Sequence, residues 1–241
     1  MRPCFIHRYF VGNTLPEAPE LPRKQARFLS PVGVLAVRAA LYTAPSYTSS
    51  PERRGVFSNT GPSRFDPKHL GARLGNIDPT GPLWRGALGE VDPFSLLKIM
   101  SSSVLAIVSM MLPAEGPSAH LCEDAIGGLR ALSLAQQAIE QGELDDAVVL
   151  AFDDLSSPLS LAELASQAVV PSAYGVAAVH LSCEDKAATH QLKKIDISPH
   201  GHGRVGGAEG LALLLLSLQT PQAELKLEVF SGAARVVVVP L

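Results

Sequence analysis

One stretch of this 241-residue sequence, from Pro113 to Asp154, constrains the fold more than any other. It has the pattern of a βαβ unit: a strand at Ala119–Cys122, a helix at Ala125–Glu140 and a buried strand at Asp145–Phe152. A tight turn separates the first strand from the helix. A side chain at that turn would lie at the positive end of the helix, where thiolates and oxyanions are stabilised. Many acyl-transfer enzymes place a nucleophile there, whereas this sequence has an alanine, Ala125.

The rest of the chain alternates between the apolar periodicities of strands and helices. The other predicted elements are a strand at Cys4–Val11, a helix at Pro31–Ala44, strands at Gly55–Asn59, Tyr174–Leu181 and Ile195–Ser198, a helix at Gly207–Leu218, and a closing hairpin formed by Ala223–Phe230 and Ala234–Val239. Strands that alternate with helices predict one α/β domain with a mostly parallel sheet.

A long helix is predicted at Pro93–Leu112, with Asp92 as its N-cap. It is apolar on nearly every face and has no charged residue after Lys98. A helix of this kind is buried on all sides. In a chain of this length, part of that cover is expected to come from a partner subunit.

The composition excludes several classes of function. A formal net charge of −3 gives no global field that would attract nucleic acid or an anionic membrane. The three cysteines, Cys4, Cys122 and Cys183, are an odd number without metal-ligand spacing, which favours a reducing compartment. The N-terminal residues lack the pattern of a signal peptide, and the apolar runs are too short to span a bilayer. We therefore expect a soluble, cytoplasmic protein that binds neither nucleic acid nor membrane.

Cys122 is the only thiol near the turn, and His120 is the nearest histidine in the sequence. Because the two residues are two positions apart on a strand, both side chains are expected on the same side of the sheet. Two interpretations stay open. Either Cys122 is the nucleophile and His120 the base of a stand-alone acyltransferase, or Cys122 is an ordinary buried cysteine.

Gly201–Gly206 matches G-x-G-x-x-G, a pattern typical of dinucleotide-binding loops. The strand before it is short and contains Asp196, and only one further unit follows, which is too little for a full Rossmann domain. A flexible glycine loop is the alternative to a nucleotide-binding module. His200 and His202 form an H-x-H pair without a third ligand, so no metal site is predicted.

Several motifs together resemble the N-terminal half of β-ketoacyl synthases. They are the GPS of Gly116–Ser118, the turn itself, the helix Leu129–Glu140 followed by QGELDDAVVLA, the DPF at Asp92, GVFSNTG at Gly55–Gly61, and Tyr174–His190. The resemblance implies a thiolase-like half, with layers α-β-α around a mixed, mostly parallel sheet. It also implies that residues 1–241 form a single domain from which the C-terminal catalytic half, with its histidines and lysine, is absent.

The departure from that family decides the expected function. Those synthases have Thr-Ala-Cys at the turn, and ungapped matching places Ala125 at the cysteine, so the chain is not expected to be an enzyme by itself. The resemblance then implies a chain-length-factor-like subunit of a type II polyketide or aryl polyene system. Its partner would be a full-length ketosynthase, an acyl carrier protein would be reached through that complex, and no cofactor is expected.

The same resemblance assigns two surfaces. The strand before the turn would pair antiparallel with the partner through Ser118, Ala119, His120, Leu121 and Cys122. The long helix would face the partner's acyl tunnel through Ser95, Leu96, Ile99 and Met100. Ser95 is small at a position often filled by a bulky side chain, so a long tunnel is expected.

Overall fold

The computed structural model describes residues 1–15, 19–44, 47, 49–61, 100, 102–123, 125–153, 175–199, 208–219, 224–229 and 232–241. The strands in these ranges are β1 (Cys4–Gly12), β2 (Arg54–Thr60), β3 (Ala119–Leu121), β4 (Asp146–Phe152), β5 (Val176–Ser182), β6 (His190–Pro199), β7 (Glu224–Val229) and β8 (Gly232–Pro240). The helices are α1 (Arg23–Ala26), α2 (Pro31–Thr43), α3 (Ser103–Met111), α4 (Gly127–Glu140) and α5 (Glu209–Ser217). A 3₁₀ turn at Pro51–Arg53 precedes β2.

The eight described strands form one sheet in the order β3-β2-β4-β5-β1-β6-β8-β7. β2 is parallel to both β3 and β4, and the other five pairings are antiparallel. The sheet is therefore mixed, as predicted, but it is not mostly parallel. Parallel neighbours need a crossover, and here α3 links β2 to β3 and α4 links β3 to β4. β1 lies between β5 and β6 and is antiparallel to both, so it adds two antiparallel pairings to the sheet.

Two helical layers cover the two faces of the sheet. Along β4, Val148 and Leu150 contribute to the core beneath α2 and α3, while Val149 and Ala151 contribute to the core beneath α4 and α5. Every residue of β4 is buried, which is why its sequence is a continuous apolar run rather than an alternating one. The layered α-β-α arrangement predicted from the sequence is confirmed in a single domain.

α2 begins as its sequence predicts. Pro31 occupies the first helical position, and the Ser30 hydroxyl accepts a hydrogen bond from the Gly33 backbone N–H at 3.2 Å. Its buried face is built from small residues, including Ala36 and Ala40. These allow the helix to lie close to β4 and β5, where α2 has its main contacts with the sheet.

The long helix predicted at Pro93–Leu112 differs from the structure in where it begins. The described helix begins at Ser103, and Met100 is not helical; residues 91–99 lie outside the described ranges. Serines favour local hydrogen bonds over a continuous helix, and Ser103 N–H bonds the Met100 carbonyl in a turn at 3.0 Å. Within this chain Val104 and Ile107 are buried and Met110 is 67% exposed, so the cover expected from a partner subunit stays a prediction.

Other boundaries also differ from the prediction. The helix predicted from Ala125 begins at Gly127. β6 covers His190–Pro199 rather than Ile195–Ser198, because a bulge between Leu192 and Lys194 interrupts the alternation by which strands are recognised. The closing hairpin is confirmed as the antiparallel pair of β7 and β8. No helix within the described residues is long and apolar enough to cross a membrane.

Candidate functional site at the elbow and the strand edge

Two neighbouring regions lie where β2 and β3 end. The first is the elbow, residues 123 to 127, which joins β3 to α4; Asp124 within it lies outside the described residues. The second is the edge site, formed by Ser58 of β2, His120 of β3 and Cys122. The sequence points to both regions, and the structure gives them opposite environments.

At the elbow, Ala125 is fully buried. Its carbonyl oxygen accepts a hydrogen bond from the Gly210 backbone N–H at 3.0 Å, so the first turn of α5 lies against it. A Cβ at position 210 would come within 2.4 Å of the same oxygen, which explains why this position is a glycine. The position that the family resemblance gives to a nucleophile is therefore covered as well as chemically inert.

The amide of Asn59 fixes the elbow to β2. Its Oδ1 accepts from the Glu123 backbone N–H at 3.0 Å, and its Nδ2 donates to the Glu123 carbonyl at 3.2 Å. A Cβ at Gly127 would lie 2.4 Å from Asn59 Oδ1. The glycine at the start of α4 therefore admits a buried amide side chain, and this bidentate contact sets the geometry of the turn.

Glu123 does not cap α4, although an acidic residue just before a helix favours that role. No side chain caps the described start of that helix, and the position before it, Ile126, has helical dihedrals. Instead, Glu123 Oε1 forms an ion pair with Arg130 NH1 at 3.0 Å, with both side chains partly exposed. A pair of this kind contributes at most about 1 kcal/mol because water screens it.

The edge site brings a thiol, an imidazole and a hydroxyl together. His120 Nδ1 lies 2.8 Å from the Oγ of Ser58, its register partner across the parallel strands, and His120 Nε2 lies 3.3 Å from Cys122 Sγ. The prediction that His120 and Cys122 share one side of the strand is confirmed. The prediction of an ordinary buried cysteine is wrong, because Cys122 is exposed. Thr60 Oγ1 also lies near the thiol, 3.9 Å from Cys122 Sγ.

This arrangement has the parts of an activated nucleophile. When His120 Nδ1–H donates to Ser58 Oγ, Nε2 is the unprotonated ring nitrogen that can accept the thiol proton. Ser58 is fully buried and holds the ring through Nδ1, while Cys122 is exposed to solvent. The alternative interpretation from the sequence, in which Cys122 and His120 act together, is therefore compatible with the geometry.

β3 is the terminal strand of the sheet. It has three half-buried residues, and on its outer side no further strand of the described chain pairs with it. Ser118 supports it, because its hydroxyl accepts from the Val56 backbone N–H at 3.0 Å and donates to the Gly116 carbonyl at 3.1 Å. The outer edge of a terminal strand can offer backbone N–H and C=O groups to another chain.

Beside this edge lies an exposed apolar surface on α3, which packs on β2. Met100 is 52% exposed and Met110 is 67% exposed, and no residue from Met100 to Leu112 carries a charge. The other residues predicted to face a tunnel, Ser95, Leu96 and Ile99, lie outside the described residues. Sequence reasoning misses Met110, although its spacing from the buried residues of α3 places it on the opposite side of that helix.

The structure does not describe the remaining candidate sites from the sequence, the glycine loop and the H-x-H pair. Gly201–Gly206, His200 and His202 lie outside the described residues. Within the part of the chain that the structure describes, no group of three or more His, Cys, Asp and Glu residues is arranged to hold a metal ion.

A different polar cluster lies at the other end of β4. His180 Nε2 is 2.9 Å from Asp146 Oδ1, both side chains are buried, and Ser49 Oγ donates to the second carboxylate oxygen. Burial raises the pKa of Asp146, but the hydrogen bonds from His180 and Ser49 outweigh it and hold that pKa below its usual value.

No protein-family model matches the chain, and no curated protein matches it. Solved structures do. A type II PKS acyl-carrier protein in complex with its ketosynthase bound to the hexaketide (AntDE:AntF) matches at 11% identity, covering 100% of both chains with a TM-score of 0.77. The ketosynthase ApeO in complex with its chain length factor ApeC, from Xenorhabdus doucetiae, matches at 13% identity over 98% of this chain and 99% of that one, with a TM-score of 0.64.

A β-ketoacyl synthase from Burkholderia phymatum STM815 matches at 16% identity, with a TM-score of 0.62. This match covers 84% of the present chain and 66% of the synthase chain. At such identities the likeness establishes the fold. The chain has the thiolase-like fold of ketosynthases, as the sequence resemblance predicted.

Proposed function

We propose that this protein is a chain-length-factor-like subunit that pairs with an active ketosynthase and shapes its acyl tunnel, in polyketide or aryl polyene chain elongation. Ala125 is the observation that carries the proposal. An alanine has no atom that can form an acyl thioester, and here it is also buried against α5. The chain retains the fold and the elbow of a ketosynthase without the group that would perform the condensation.

The lengths of the similar chains support this assignment. In the AntDE:AntF and ApeO–ApeC complexes, the match covers at least 98% of both chains, so the matched chains are about as long as this one. The synthase chain from Burkholderia phymatum is covered to only 66%. Ketosynthase complexes thus contain chains of this size and fold, and one of them is named as containing a chain length factor.

The strand edge and α3 would form the partner surface. β3 and its flanks, from Ser118 to Cys122, would offer the outer edge of the described sheet to an antiparallel strand of the ketosynthase. The uncharged surface of α3 with Met110 continues this edge across β2. A stable interface buries about 1,200–2,000 Å² in total, and a strand edge combined with a helix face is a suitable core for that area. An acyl carrier protein would be reached through the assembled complex.

The experiment is co-expression with a full-length ketosynthase, comparing two charge substitutions at exposed apolar residues. Met110→Glu on α3 should weaken association by about a hundredfold or more, because a carboxylate would have to be buried without a partner. Leu134→Glu is the matched control, since Leu134 is 38% exposed on α4 at the opposite face of the sheet. Co-purification and analytical ultracentrifugation give the readout. Failure of the parent chain to associate, or equal effects of the two substitutions, would overturn the proposed interface.

The tunnel assignment has its own test. Ser95, Leu96, Ile99 and Met100 are proposed to face the partner's tunnel, and Ser95 leaves room for a long chain. Ser95→Phe should shorten the products of the complex, measured by mass spectrometry, while the complex still assembles. Unchanged product length in an assembled complex would contradict this assignment.

A further inference from the structure

We propose that Cys122 of the uncomplexed subunit is an acyl-accepting thiol, activated by His120 and positioned through Ser58, that takes acyl groups from thioesters. This goes beyond the proposed function, which assigns no covalent chemistry to this chain. The substrate class is an acyl thioester, and the product is a subunit that carries one acyl group on the sulfur.

The geometry that supports it is built into the sheet. Parallel pairing places His120 opposite Ser58, and their side chains meet at 2.8 Å. The two-residue period of the strand then brings Cys122 to the same side, with its sulfur 3.3 Å from the second ring nitrogen. The base is thus held on one side by a buried hydroxyl and contacts an exposed nucleophile on the other.

The other two cysteines lack these features and serve as internal references. Cys4 is fully buried, and burial raises the pKa of its thiol. Cys183 is half-buried, and burial raises its pKa as well, although Arg2 NH2 lies 2.9 Å from the sulfur and opposes that shift. Cys122 alone among the three combines solvent exposure with an imidazole at hydrogen-bond distance in the described structure.

The transfer is balanced without a further reactant. His120 Nε2 accepts the Cys122 thiol proton, and the thiolate attacks the carbonyl carbon of the thioester. The tetrahedral intermediate collapses with cleavage of the original C–S bond, and the departing thiolate takes the proton from the imidazolium. One thioester is formed and one is broken, so an excess of donor drives the exchange to one acyl group per subunit.

The test uses the purified full chain with excess octanoyl-N-acetylcysteamine, followed by intact mass and peptide mapping. The expected result is a single octanoyl group on Cys122 and none in Cys122→Ser. His120→Ala and His120→Gln should react about ten- to thirtyfold more slowly near neutral pH, because an unassisted thiol is only a few per cent ionised there. Ser58→Ala should slow the reaction, and Ser58→Thr, which keeps the hydroxyl, should restore it.

Cys183→Ser is the matched control and should leave the acylation rate unchanged. In the parent chain, equal acylation of Cys122 and Cys183 would overturn the proposal without the need for any variant. Equal rates in the parent and both His120 variants would do the same.

A second arm repeats the labelling with the full-length ketosynthase present. The proposed interface covers Cys122, so acylation should fall when the complex forms. Acylation of the free subunit without protection in a verified complex would overturn the interface assignment and leave the thiol chemistry intact. Absence of acylation in the free subunit would overturn the thiol chemistry and leave the interface assignment intact.

Discussion

Ala125 of the elbow and Cys122 of the edge site are three positions apart in the sequence, yet their surroundings are opposite. Ala125 is fully buried and its carbonyl oxygen is bonded to Gly210 of α5, whereas Cys122 is exposed beside an imidazole. The position that the sequence resemblance gives to a nucleophile is an alanine, and the thiol lies three positions earlier. Proximity in the chain therefore says little about which residue can react.

The sheet itself separates the two regions. Ser58 belongs to the edge site and Thr60 contacts it, while Asn59 between them contacts the elbow at Glu123 and Gly127. Successive residues of β2 point to opposite faces, so one strand supports both regions from its two sides.

The largest expected change in stability comes from adding a side chain where α5 contacts the elbow. Gly210→Ala places a Cβ 2.4 Å from the Ala125 carbonyl oxygen, a backbone atom that cannot rotate away. Overpacking and loss of the Gly210 hydrogen bond should lower the free energy of unfolding by about 3 kcal/mol. Urea denaturation measures this change in the free energy of unfolding. Gly33→Ala is the control, because the new Cβ meets side-chain atoms at 3.3 Å, and its effect should stay within about 1 kcal/mol.

The next effect tests whether the two regions are independent. Asn59→Ala removes both hydrogen bonds to the Glu123 backbone and should destabilise the fold by about 2 kcal/mol. Gln137→Ala, at an exposed position of α4, should change stability by less than about 0.5 kcal/mol. Alkylation of Cys122 by iodoacetamide should be unchanged in Asn59→Ala. A loss of that reactivity in folded protein would show that the elbow and the edge site act as one unit.

A substitution with a smaller effect on stability tests directly whether position 125 of the elbow is accessible to solvent. Ala125→Cys in a Cys122→Ser background should cost about 1 kcal/mol for the added sulfur. The new thiol should resist iodoacetamide under native conditions, because position 125 is fully buried. The parent chain, in which Cys122 is exposed, is the reference. Rapid native labelling of the introduced thiol would mean that the elbow opens, and the contrast between the two regions would fail.

The sequence predicts the elements with strong local patterns. β4 is a buried apolar run and α2 has a capping serine followed by proline, so both are predicted to within a few residues. The shared side of His120 and Cys122 also follows from a local rule, the period of a strand. The exposure of Cys122 does not, because it depends on β3 being the terminal strand, which is a property of sheet order.

Contacts between distant segments are likewise beyond local patterns. Gly127 at the start of α4 indicates a close approach, but nothing in the sequence identifies Asn59 as the group that comes near. The cover of Ala125 by α5 joins positions 85 residues apart, Ala125 and Gly210, and leaves no local pattern. The bulge between Leu192 and Lys194 hides the first half of β6, because it breaks the alternation by which a strand is recognised.

The smallest expected change in stability concerns Asp145, just before the start of β4. Neither the elbow nor the edge site should influence it, so it serves as a reference. Arg53 donates two hydrogen bonds to Asp145 and Arg2 a third, at 2.7 to 3.0 Å, and they lower the pKa of Asp145 to about 2. Because this pKa lies below that of an unfolded aspartate, about 3.9, the stabilisation is complete above about pH 4 and is lost as the pH falls towards 2. Screening at the surface limits it to about 1 kcal/mol.

Asp145→Asn should therefore flatten the pH dependence of unfolding between about pH 4 and pH 2, measured by urea denaturation at several pH values. Asp196→Asn, which removes an exposed pair with Lys194, is the control and should leave that slope nearly unchanged. Iodoacetamide labelling of Cys122 at neutral pH should be the same in both variants, since Asp145 lies at the end of β4 remote from β3's terminus. Altered labelling in Asp145→Asn would mean that the edge site depends on global stability rather than on its own three side chains.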